Sequence, residues 1–160
     1  MWSKNALLGT VAVLLLAFMS YAHAREPLKI EIDDNSEYVV YYNAFKIKDL
    51  PKEMAKTYKI KRTSHNGVLN VSVRKGNKGQ MIGTTAVKAK VTVQITDLIG
   101  IQQTPEMTEI EEGKDGDAVY YIGEFDIAGE QDILKFTIQV DPNNQGKEYE
   151  ISFRQTFYVK

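Results

Sequence analysis

Apolar and polar residues alternate one by one along most of this 160-residue chain. Successive strand residues point to opposite faces, so a strict period of two marks a strand with one buried face. Leu28, Ile30 and Ile32 alternate with Lys29 and Glu31, and Leu69, Val71 and Val73 with Asn70, Ser72 and Arg74. Val87, Ala89, Val91, Val93 and Ile95 keep the beat against Lys88, Lys90, Thr92 and Gln94. Leu134, Phe136, Ile138 and Val140 repeat it, and Tyr149, Ile151, Phe153, Phe157 and Val159 carry it to the C-terminus. Clusters of turn-forming residues separate these runs: Asn66-Gly67, Gly76-Asn77-Lys78-Gly79, Lys114-Asp115-Gly116 and Asn143-Asn144-Gln145-Gly146. Many strands at short intervals predict an all-β fold, a single antiparallel β-sandwich over residues 25–160 that is immunoglobulin-like in outline. The Cys and Trp marks of true immunoglobulin domains are absent from that span.

Two departures from the alternation stand out. Pro51 suits the first turn of a helix, and Lys52-Glu53-Met54-Ala55-Lys56-Thr57-Tyr58 follows with good helix formers. The spacing of Leu50, Met54 and Tyr58 puts them on one stripe of a short helix over 51–58, too short to persist unless it lies on something apolar. The segments Tyr38-Val39-Val40-Tyr41-Tyr42 and Ala118-Val119-Tyr120-Tyr121-Ile122 are apolar on both parities. Each Tyr-Tyr pair therefore sends one ring inward and one outward. Val39, Tyr41, Tyr120 and Ile122 fall on the outer face, where they form either the bed of the short helix or an exposed patch that receives a partner. The quartet is the candidate interaction surface.

The first 24 residues differ in kind. Lys4, the apolar run Ala6 to Met19 and the small-x-small pattern Ala22-His23-Ala24 form a secretory signal peptide, cleaved after Ala24. The run is shorter than the roughly twenty residues that span a bilayer. Export is the expectation, with no membrane attachment after cleavage. Removing Lys4 leaves nineteen basic against twenty-one acidic side chains, interspersed, which gives no reason to expect nucleic acid as a partner. The chain has no Cys, so the fold depends on packing and thiol chemistry is excluded.

Little else suggests catalysis. His65, the sole histidine after residue 24, lies beside the Asn66-Gly67 turn without a G-x-S-x-G elbow. Glu111 to Asp117 lacks the order of an acidic Ca²⁺ loop. Met54, Met81, Met107 and His65 are not spaced as neighbouring copper ligands. No cofactor and no metal is expected. Gln155 shares the inward parity of Phe153 and Phe157, so its amide needs a buried hydrogen-bond partner, with Asn43 as a candidate companion.

Several stretches carry a resemblance: Tyr41-Tyr42-Asn43-Ala44-Phe45, Gly116-Asp117-Ala118-Val119-Tyr120-Tyr121-Ile122-Gly123 and Phe153-Arg154-Gln155-Thr156-Phe157-Tyr158-Val159. From about Ser36 onward the chain resembles an uncharacterised family of exported Gram-negative proteins known only as a domain of unknown function. The resemblance implies a periplasmic β-sandwich with no activity or cofactor to carry over. A weaker one, over Val91 to Gly100 and Tyr120 to Phe125, is to exported domains of the FixH and YtkA kind. The combined expectation is a non-enzymatic interaction or accessory module whose partner is an envelope protein. Copper delivery and a small hydrolase or isomerase are the alternatives.

Overall fold

A computed structural model describes residues 25–80 and 82–159. The expected signal peptide and Met81 lie outside the described residues. In chain order the elements are β1 (Leu28–Glu31), β2 (Ser36–Lys46), a 3-10 turn (Ile47–Asp49), α1 (Lys52–Thr57), β3 (Asn66–Asn77), β4 (Thr85–Val87), β5 (Ala89–Thr96), β6 (Gln102–Gln103), β7 (Thr108–Glu112), β8 (Ala118–Asp126), β9 (Gln131–Pro142) and β10 (Tyr149–Tyr158). Two sheets form. One runs β1-β2-β3-β8-β7, with β4 also on β3, and the other runs β10-β9-β5-β6. Every strand pair is antiparallel. The all-β sandwich predicted from the alternation is the observed architecture.

The main core lies between the sheets. Val40 and Ala44 from β2, Leu69, Val71 and Val73 from β3, and Val119, Tyr121 and Phe125 from β8 face Val93, Ile95, Phe136, Ile138, Ile151 and Phe157 across the gap. The same-parity residues read from the sequence are the ones buried here, because a one-residue slip would turn each strand inside out. Phe136 stacks on Phe153 with 4.7 Å between ring centroids and meets Phe125 edge-on at 5.1 Å.

Two sequence expectations need correction. Asn66-Gly67 is not a turn: both residues belong to β3, and Gly67 pairs with Phe125. The Phe125 ring lies over the glycine, 2.1 Å from where a Cβ would stand, so the residue is small to admit the ring. The run Val87 to Ile95 is not one strand of one sheet. β4 belongs to the first sheet and β5 to the second, and the chain crosses between them at Lys88.

The switch is held by a polar knot. Tyr121 Oη accepts the Ala89 N–H at 2.7 Å and donates to Glu109 Oε2 at 2.9 Å. Glu109 also pairs with Lys88 at 3.1 Å, and Lys88 bonds Glu111 as well. Burial, with the Glu109 bond, pushes the Tyr121 hydroxyl up to about 12. The bonds from Lys88 and then Tyr121 hold the Glu109 carboxyl below its usual value.

Candidate interaction surface

The outer face of the first sheet carries a second apolar layer. Val68, Ala118, Tyr120 and Ile122 form its bed, and Ile47, Leu50, Met54, Ala55 and Ile60 lie on top. The 3-10 turn and α1 thus act as a cap. Leu50 and Met54 are buried and Tyr58 half-buried, as the stripe spacing requires. Pro51 precedes the helix at its N-cap, where a missing N–H costs nothing.

This placement corrects the reading of Val39, Tyr41, Tyr120 and Ile122 as a docking surface. Tyr120, Val39 and Ile122 are 2%, 4% and 7% exposed, and Tyr41 is half-buried opposite Ser72. Tyr120 and Ile122 are covered by the cap, which can bury them because both parities of β8 are apolar. Tyr120 is closed to a partner while the cap is seated, and Ile122 reaches only the groove it shares with Ile60 and Ile110. The sequence could not decide between bed and patch because two turns of helix say nothing about where they settle.

Gln155 and Asn43 also part company. Asn43 is buried on the outer face, opposite Asn70. Gln155 points between the sheets, where its Nε2 donates to the Ala44 carbonyl at 2.8 Å and its Oε1 accepts from Arg25 Nη2 at 2.9 Å. The Arg25 guanidinium lies 4.0 Å over the Phe153 ring. Burial of this group lowers its pKa below the usual arginine value.

Polar groups under the cap are less well provided for. Tyr58 donates to Glu112 Oε1. Among the described residues, Glu112 Oε2, Tyr120 Oη and Asn70 Oδ1 are buried without a hydrogen-bond partner. Burial pushes the Tyr120 hydroxyl up, and the Glu112 carboxylate adds to the shift.

His65 is exposed, and its backbone carbonyl accepts the Ile127 N–H at 2.8 Å. Met54 is core. Among the described residues no three His, Cys, Asp or Glu side chains are grouped to hold a metal ion. No helix among them is long and apolar enough to cross a membrane.

A cluster of exposed apolar side chains lies elsewhere, on the turn between β5 and β6. Leu98, Ile99 and Ile101 are 69%, 82% and 60% exposed. The turn is well ordered by its own hydrogen bonds. Asp97 Oδ1 accepts the N–H groups of Ile99 at 3.0 Å and Ile101 at 2.8 Å, and the Asp97 N–H donates to the Ile101 carbonyl at 3.0 Å. Gly100, at φ 90°, supplies the left-handed residue. A groove of 490 Å³ opens between this turn and the start of β9, lined by Leu98, Ile99, Ala128 and Ile133 with Asp97 and Asp132. The alternation of the flanking strands does not mark these residues as a surface. The signal present was Asp97-Leu98-Ile99-Gly100-Ile101, a turn signature that carries three aliphatic side chains where turns are usually polar.

Two stacked sheets, a capped outer face and an apolar turn together define an all-β sandwich domain. The chain belongs to the family of the domain of unknown function DUF4426, whose model matches residues 32–160. The crystal structure of a DUF4426 family protein from Pseudomonas aeruginosa PAO1 is similar over 84% of this chain and 97% of that one, with 25% identity and a TM-score of 0.60. A copper-bound variant of FetP from uropathogenic Escherichia coli strain F11 is similar over 84% of this chain and 92% of that one, at 12% identity and a TM-score of 0.46. No curated protein matches the sequence.

Proposed function

We propose that this protein is a non-enzymatic interaction module of the bacterial cell envelope, exported to the periplasm, that docks on an envelope protein through the Asp97–Ile101 turn. The observation that carries the reading is the exposure of Leu98, Ile99 and Ile101 on a turn already fixed by Asp97. Large aliphatic side chains held outward are costly in water and gain on burial against a partner, at about 25 cal/mol per Å². A turn that is pre-formed loses little further freedom on docking. Asp97 and Asp132 beside the aliphatic groups suit a partner whose apolar socket is rimmed by basic side chains. The same carboxylates disfavour an anionic lipid surface.

The test is site-specific photocrosslinking in cells that produce the full chain. A photoreactive phenylalanine at position 99 should give a discrete protein adduct, one at the exposed control position Thr92 should not, and Leu98→Ser should abolish the adduct. Equal adducts at both positions, or none at 99, would overturn the reading.

A further inference from the structure

We propose a second binding site, independent of the apolar turn: the groove between the cap and strands β7 and β8 takes a small organic cation with an apolar body. The groove measures 340 Å³, within the range of about 300–1,000 Å³ typical of small-molecule sites. Its apolar part is three isoleucines, one from each bounding element: Ile60 from the end of the cap, Ile110 from β7 and Ile122 from β8. Ile60 and Ile122 are buried and Ile110 half-buried, so they form a floor. Glu106 and Glu124 stand exposed at the rim with Thr108.

The electrostatics have one sign. Among the described residues no Lys, Arg or His lines the groove. Glu106 and Glu124 make no salt bridge among the described residues, whereas the nearby pair Glu109 and Glu111 is already bound to Lys88. Behind one wall lies a third carboxylate. Tyr58 lines the groove and donates its hydroxyl proton to Glu112, which is 6% exposed and keeps Oε2 without a partner. An apolar body on the isoleucine floor places a cationic head at the rim between Glu106 and Glu124. An anion of the same shape meets the Glu106 and Glu124 carboxylates at the rim and no positive charge among the described lining residues.

The experiment follows the methyl resonances of isoleucine-labelled protein, produced from the full sequence, during titration with hexyltrimethylammonium, hexanol and hexanoate. The expected result is saturable shifts at Ile60, Ile110 and Ile122 with the cation, weaker shifts with the alcohol and none with the carboxylate. The double variant Glu106→Gln with Glu124→Gln should weaken cation binding about two- to tenfold, with the rest of its spectrum unchanged because both residues are exposed. The proposal is overturned if hexanoate or hexanol binds as tightly as the cation. Shifts confined to other isoleucines, no saturation at millimolar cation, or an unaltered affinity in the double variant would overturn it equally. Photocrosslinking at position 99 reports on the turn alone, so the two sites stand or fall separately.

Discussion

Tyr120 and Tyr121 are chain neighbours on β8, both almost fully buried, yet their hydroxyls meet opposite surroundings. Tyr121 points between the sheets and is bonded on both sides, to the Ala89 N–H and to Glu109. Tyr120 points under the cap, and its hydroxyl has no partner among the described residues. The contrast extends to the layers around them. The inter-sheet side satisfies Gln155 through Ala44 and Arg25, whereas the capped side leaves Asn70 Oδ1 and Glu112 Oε2 unpartnered. A buried polar group without a partner costs about 1–3 kcal/mol, so a layer holding three is not optimised for stability. The inner layer holds the sandwich together; the outer layer keeps polar capacity that the fold does not use, beside an acidic groove.

Truncations in each layer should separate the two sharply. Phe136→Ala, in the centre of the inter-sheet core, is expected to cost about 3–5 kcal/mol in urea denaturation. Met54→Ala, on the underside of the cap, is expected to cost about 2–3 kcal/mol. Its amide exchange should rise over residues 47–60 while β5 and β9 stay protected. Equal loss of protection in both sheets would show that the layers are one cooperative unit.

The smallest effect concerns pH. Glu109 titrates below its usual value because Lys88, and next Tyr121, bond its charged form. The unfolded chain therefore takes up the proton first as pH falls. The stabilisation is complete above the unfolded value of about 4.3 and is lost as pH drops through the lower folded value. Stability measured between pH 5 and pH 3 should show this slope in the wild type and a shallower one in Glu109→Gln. An identical slope in both would remove Lys88 and Glu109 from the account of the sheet switch.

Much of the inter-sheet core was legible, since period-two patterning assigns each of Leu69, Val71, Val93, Phe136 and Ile138 to a face without reference to the rest of the chain. The short helix was legible too, from Leu50, Met54 and Tyr58. Its resting place was not, because Tyr120 and Ile122 look alike to the sequence whether they face solvent or α1. The crossing at Lys88 was hidden because alternation continues unbroken through a residue that changes sheets. Gly67 reads as a turn because a glycine after an asparagine signals one, while the actual reason for the small residue, Phe125, lies 58 positions away. The apolar turn at Leu98, Ile99 and Ile101 was visible as letters, but the exposure of those side chains is a property of the fold.

The most direct measurement compares Tyr120→Phe with Tyr121→Phe by urea denaturation at neutral pH. Removing the Tyr121 hydroxyl leaves the Ala89 N–H unbonded and should cost about 1–3 kcal/mol, whereas removing the Tyr120 hydroxyl should leave stability unchanged or raise it. A loss in Tyr120→Phe as large as that in Tyr121→Phe would contradict the claim that the outer layer holds polar groups the fold does not use.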